Sequence, residues 1–166
     1  MRKRILTLAM AAVLALSMVA CGSTASKPTE TPKSVDLSAF GEKYVTEQLI
    51  PNLLDTQSDI GKEILEQSYP DLDQVELEQC LPYIPMMNVK NSELMLVQVK
   101  NSADVEKVEQ MFQTRIDNMV NGGAFYPGDV ENWTNHSEVI TNGNYVMLVV
   151  NTDKDAIVEE FNALFQ

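Results

Sequence analysis

Near its C-terminal end the chain reads Val139-Ile140-Thr141-Asn142-Gly143-Asn144-Tyr145-Val146-Met147-Leu148, two apolar runs around an Asn-Gly pair. Asn142-Gly143 supplies the two positive-φ residues that a tight type I′ hairpin turn requires. Such a turn joins neighbouring antiparallel strands, so an all-parallel sheet is excluded. Leu94-Met95-Leu96-Val97-Gln98-Val99 is almost continuously apolar, as expected of a central strand.

Earlier in the chain the apolar period is helical. Leu37, Phe40, Tyr44, Val45 and Leu49 define a first helix, with Asp36 able to cap it and Pro51 expected to stop it. Ile60, Ile64 and Leu65 define a shorter second helix, ended by Tyr69-Pro70. From Val75 the period becomes two. Val75, Leu77, Leu81 and Tyr83 are expected on one face, with Glu76 and Glu78 on the other. Pro82 and Pro85 place this strand at a sheet edge or on a bulge, because proline donates nothing to a ladder. Asn101-Ser102 caps a third helix with a stripe of Val105, Val108, Met111, Phe112, Ile116 and Met119, and Gly122-Gly123 ends it. Residues 122–136 then read as a long loop. Thr152 or Asp153 starts a last helix with Ile157, Phe161, Leu164 and Phe165 inward.

The predicted architecture is α+β: two N-terminal helices, then a ββαββα unit. Its four-stranded antiparallel sheet has the helices packed on one face. Residues 75–120 and 138–165 each read strand, strand, helix, a faint internal repeat.

The N-terminus sets the address. Arg2, Lys3 and Arg4 precede an uncharged apolar run from Ile5 to Ala20, and Cys21 comes next. The run is shorter than the roughly 20 apolar residues of a spanning helix and has the form of an export signal. It resembles the bacterial lipoprotein signal, in which the cysteine thiol takes a diacylglycerol and becomes residue one. Met18 departs from that pattern, where Leu is usual. Residues 1–20 are thus expected to be signal, 21–35 a Ser/Thr/Pro-rich flexible tether, and 36–166 a single extracytoplasmic domain. Residues 1–20 carry three of the 12 basic residues and none of the 24 acids, so the remaining chain has a formal charge of −15. That excess repels nucleic acid, which is held through phosphate contacts by Lys and Arg. It serves solubility beside an anionic envelope, or recruits a basic partner or cations. Membrane attachment is expected through the lipid on Cys21, at the outer face of the cytoplasmic membrane. With Cys21 lipidated, Cys80 is a lone thiol, expected to be buried and inert.

No serine-hydrolase, P-loop, zinc-protease, Cys-x-x-Cys or dinucleotide motif is present, and no catalytic residue, metal site or cofactor is expected. Asp71, Asp73, Glu76 and Glu78 lack the Gly and Glu positions of a calcium loop and read as a solvated face. The richest stretch is 122–136. It holds Phe125, Tyr126, the one Trp (Trp133) and the one His (His136). Aromatics with a few polar groups build small-ligand pockets; equally, these rings can fold down as a lid on the core. Arg115, just upstream, can pair with Asp117 or Glu109 on the surface or reach these aromatics. Arg115, Phe125, Tyr126, Trp133 and His136 are therefore the candidate binding residues.

Several segments together carry a family resemblance: Tyr83-Ile84-Pro85-Met86, Glu93 with its apolar strand, Asp104-Val105, Arg115, residues 123–127, and Gly143-Asn144-Tyr145-Val146. Over residues 36–165 the chain resembles small Gram-positive lipoproteins catalogued only as a domain of unknown function. The resemblance implies an envelope location and one domain, and it brings no activity, cofactor or catalytic residue. The expected function is a non-catalytic, lipid-anchored module that binds an envelope protein or a small ligand, or serves as an accessory subunit of a membrane complex. The alternative is an envelope hydrolase or wall-modifying enzyme using acids near 122–136.

Overall fold

The computed structural model describes residues 34–85, 92–124 and 126–166. The expected signal, residues 21–33 of the expected tether with Cys21, and Phe125 lie outside them. Val35, at the end of that expected tether, is buried in the domain, its N–H donating to the Tyr145 hydroxyl at 2.9 Å. The described chain is α+β with five helices around one four-stranded antiparallel sheet. In chain order these are α1 (Leu37–Thr46), α2 (Asp59–Ser68), β1 (Leu77–Tyr83), β2 (Glu93–Val99), α3 (Val105–Asn118), α4 (Pro127–Asn135), β3 (Ser137–Asn142), β4 (Tyr145–Val150) and α5 (Lys154–Ala163). The strand order is β1-β2-β4-β3. No described helix is long and apolar enough to cross a membrane.

The central strands explain the layering. Every residue of β4 is buried, and every residue of β2 except Gln98. Both faces of such a strand need cover. Met95, Val97, Val99, Val146, Leu148 and Val150 pack with Leu72, Val108, Phe112, Ile116 and Trp133, beneath α2, α3 and α4. Leu94, Leu96, Tyr145, Met147 and Val149 pack on the other side with Phe40 and Tyr44 of α1 and Ile157 and Phe161 of α5. The helices thus divide between the two faces instead of sharing one. The helices after β2 and β4 lie on opposite faces. A two-fold axis normal to the sheet, which would exchange β2 with β4, cannot also exchange those helices, so the faint repeat has no structural symmetry.

β1 departs from strict alternation. Its pairing with β2 slips between Leu77 and Gln79. A bulge inserts one residue and reverses the facing of every later residue in the strand. Leu77 and Cys80 therefore face the α3 side, whereas Leu81 and Tyr83 face the α1 side. The single face expected for Val75, Leu77, Leu81 and Tyr83 is corrected accordingly. β1 is an edge strand, one of the two places open to Pro82, and the Pro82 carbonyl accepts a bond from Leu54 N–H at 2.8 Å.

Helix ends obey local chemistry. Asp36 Oδ1 accepts from Ser38 N–H at 2.9 Å and starts α1. α1 stops before Pro51 because Gln48 turns left-handed (φ 60°). Gln48 N–H then donates to the Val45 carbonyl and Leu49 N–H to that of Tyr44, a Schellman ending with Gln where Gly is usual. α3 continues into a π-helical turn, Met119–Gly123, which is broken at Gly122 (φ 135°). The hairpin differs from expectation by one position. Asn142 pairs with Tyr145, so the loop is Gly143-Asn144. Of these two only Gly143 has positive φ (58°), the sign pattern of a type II′ turn with Gly first.

Gly61 lies in the first turn of α2, where alanine would ordinarily add about 1 kcal/mol of helix stability. Here a Cβ would stand 1.9 Å from the Asp55 carbonyl oxygen, which is backbone and cannot swing away. Gly61→Ala is therefore expected to lower stability by about 1–3 kcal/mol. A urea midpoint at or above wild type would contradict this packing.

Candidate functional site

Residues 122–136, expected as a loop, are built around α4. Pro127 occupies the first helical position, where its fixed φ suits the helix and its missing N–H costs nothing. α4 sorts the candidate residues. Trp133 turns inward and is 4 % exposed in the α3-side core. Tyr126 sits at the N-cap, 57 % exposed. His136 is the C-cap, half-buried. Nine helical residues at about 1.5 Å each put roughly 14 Å between the two ends. The structure therefore does not gather Tyr126, Trp133 and His136 into one surface.

It does bring Arg115 to Trp133. The guanidinium lies 5.3 Å from the Trp133 ring centroid and 5.9 Å from that of Tyr69. Its fork takes Glu93 in two bonds, Nη2 to Oε2 at 2.9 Å and Nε to Oε1 at 3.3 Å. Tyr69 O–H donates to the same Oε1. Glu93 is 1 % exposed at the head of β2, on the face it shares with Met95. Burial opposes the charge on Arg115, but the Glu93 carboxylate more than offsets this and holds its pKa above the usual value. Burial, reinforced by the Glu93 charge, keeps the Tyr69 hydroxyl protonated far above the ordinary tyrosine range. The two surface partners expected for Arg115 bond elsewhere: Asp117 accepts from Gln113 and Glu109 from Thr141. Glu93 and Tyr69 are partners that sequence reasoning missed. The one signal for them is an acid heading a strand too apolar to face water.

This buried cluster has satisfied hydrogen bonds and little access to solvent. It braces α2, β2, α3 and α4 against one another and offers nothing to a substrate. An accessible cleft of about 540 Å³ lies at the end of the sheet where β2 begins and β4 ends. Gln48, Ser92, Glu131, Asn132, His136 and Thr152 face it. Asn151 fixes its wall: Nδ2 donates to the Leu49 carbonyl at 2.7 Å, and Oδ1 accepts from Asp153 N–H at 2.8 Å. The end of α1 and the start of α5 are thereby tied across the cleft. Its lining is mainly amide and hydroxyl, chemistry that reads polar, uncharged groups.

Cys80 is half-buried and free, and burial pushes its thiol up to about 11, so it is protonated at neutral pH. Among the described residues no three or more His, Cys, Asp or Glu side chains converge in a way that could hold a metal ion.

The sequence pattern of a family described as Domain of unknown function (DUF4358) matches residues 52–151. The chain belongs to this family. The DUF4358 match runs from just before α2 to just past β4 and contains all four members of the Tyr69–Glu93–Arg115–Trp133 cluster. It leaves out α1 and α5, which cover the opposite face of the sheet. Comparison with curated proteins and with solved structures finds no match.

Proposed function

We propose that this DUF4358 protein is a lipid-anchored module of the cell envelope that binds a small polar ligand in the cleft beside α4, without catalysis. The observation that carries the binding reading is the composition of the cleft. Amide and hydroxyl groups dominate it, and Glu131 is the one carboxylate among its described lining residues. Glycosidic hydrolysis of the usual kind uses two carboxylates about 5–9.5 Å apart, and this lining supplies one. The anchor rests on sequence: three basic residues, an apolar run and Cys21. Two or more acyl chains, at about 0.8 kcal/mol per buried methylene, would hold an acidic domain that has no electrostatic attraction of its own for an anionic bilayer.

Two measurements test the reading. Cys21→Ala should move the protein from the membrane fraction to the soluble one, and retention in high salt would exclude the lipid as anchor. Titration with an N-acetylated sugar or a short uncharged peptide should shift the backbone resonances of Gly128, Asn132, His136 and Thr152. Absence of such shifts at millimolar probe would remove the cleft from consideration.

A further inference from the structure

Beside α2 a second, more apolar groove of about 320 Å³ runs between that helix and β1. Leu65, Leu72, Val75, Leu77 and the Cys80 side chain form its apolar lining. The backbone beside it is an open sheet edge. The Pro82 carbonyl points away from β2, since it accepts from Leu54 N–H. Cys80 lies two residues earlier, and the pairing from Gln79 onward is regular. Alternation therefore aims both the N–H and the C=O of Cys80 outward too. Neither has a hydrogen-bond partner among the described residues. Proline and the bond from Leu54 close one stretch of the edge; the stretch at Cys80 stays open.

We propose that this open edge and groove take an extended segment of a partner protein with apolar residues at every second position and basic residues at its ends. Each component of the site selects one property of the occupant. The unpaired N–H and C=O of Cys80 call for another backbone in extended form, the way a strand adds to a sheet. A strand puts every second side chain on the same side, so alternate apolar residues enter the groove. The rim is acidic: Glu66, Asp71 and Asp73 stand against Lys62, all four exposed, with exposed Glu78 next along the strand. Basic residues at the ends of the occupant, on its groove side, complement that rim; at the intervening positions they would point to the opposite face of the sheet. An acyl chain would fill the apolar lining but leave the Cys80 backbone unpaired. A second copy of this chain would bring the same acids edge to edge, where like charges destabilise the pair. The site is separate from the polar cleft and does not depend on it.

The test uses the full chain and a short peptide with Val at alternate positions, Thr between them and Lys at both ends. The peptide should bind, and hydrogen exchange at the Cys80 amide should slow by about tenfold or more as that N–H becomes bonded. N-methylating the peptide amides that face the edge keeps its charge but removes backbone pairing. That change should weaken binding by about tenfold, the value of roughly one or two hydrogen bonds. Replacing Lys with Glu in the peptide should abolish binding, and Glu66→Lys with Asp73→Lys in the protein should weaken capture of the Lys peptide. Both protein positions are exposed, so folding is expected to survive. Equal affinity for the N-methylated peptide, or unchanged Cys80 exchange on binding, would overturn strand addition. Protection of Cys80 by self-association alone would assign the edge to a second copy instead. Equal protection by a non-ionic detergent would assign the groove to a lipid chain.

Discussion

Arg115→Met is expected to cost about 3–5 kcal/mol of stability, the range for removing one partner of a buried ion pair. The size comes from the group left behind. Glu93 is 1 % exposed, so its carboxylate cannot turn to water when the guanidinium is gone. Only the Tyr69 hydroxyl still donates to it. Methionine fills much of the volume of the arginine stem, so the loss reports charge and hydrogen bonding more than a cavity. Adding Glu93→Gln to Arg115→Met removes the stranded charge, and the double variant should lose clearly less than the sum of the two single losses. Urea melts of the four proteins give that coupling directly. A loss below about 1 kcal/mol for Arg115→Met would place the pair in the class of exposed salt bridges and out of the core.

The same cluster shows how far the sequence can be read. Arg115 stands beside a helical apolar stripe, and its position next to the aromatic segment is legible. Glu93 lies 22 residues upstream on another element. No local spacing joins the two; only packing α3 onto β2 does. Periodicity reports which face a side chain occupies, and it does not report which distant charge meets it there. The buried head of β2 is the one clue, because an acid on so apolar a strand requires a partner.

Elements are legible where local chemistry has one solution. The continuous apolar runs of β2 and β4 name the central strands, and Pro82 confines β1 to an edge or a bulge. The errors fall where two solutions are chemically equal. Asn142-Gly143-Asn144 serves a turn with either pair in the loop. The choice is made by facing Val139 with Leu148 and Ile140 with Met147, across-strand contacts that a turn motif does not contain. Pro127-Gly128 opens a loop or a helix equally well, and α4 shows only Val130 and Trp133 as apolar markers. Pro82 and Pro85 admit an edge or a bulge, but the bulge in β1 falls between Leu77 and Gln79, where the sequence carries no mark of it, so the facing of Leu77 against Leu81 cannot be set from the sequence. Helices on both faces arise from strands that are apolar on both sides. That pattern is visible, yet its consequence for layering outweighs the order of elements from which a one-sided sheet is drawn.

Trp133→Ala is expected to destabilise the domain by about 3–5 kcal/mol, the cost of emptying a buried aromatic site. Trp133 is 4 % exposed and packs in the core beneath α3. Its removal opens a cavity and also strips the ring from over the Arg115 guanidinium, a contact that adds a further increment when desolvated. Since the two side chains touch, the losses from Trp133→Ala and Arg115→Met should not add, and the double variant measures their coupling. Trp133→Phe retains an aromatic face and most of the apolar contact and should lose less than half as much. As this is the one tryptophan, the melts must be monitored by circular dichroism, and an unchanged urea slope would show that the unfolded state is not the cause. The alternative role of Trp133, an exposed anchor for a ligand, makes the opposite forecast: near-wild-type stability with capture abolished. A midpoint within error of wild type would therefore reverse the assignment of Trp133 from core to binding surface. It would also move the proposed recognition site from the polar cleft at His136 to the aromatic side of α4.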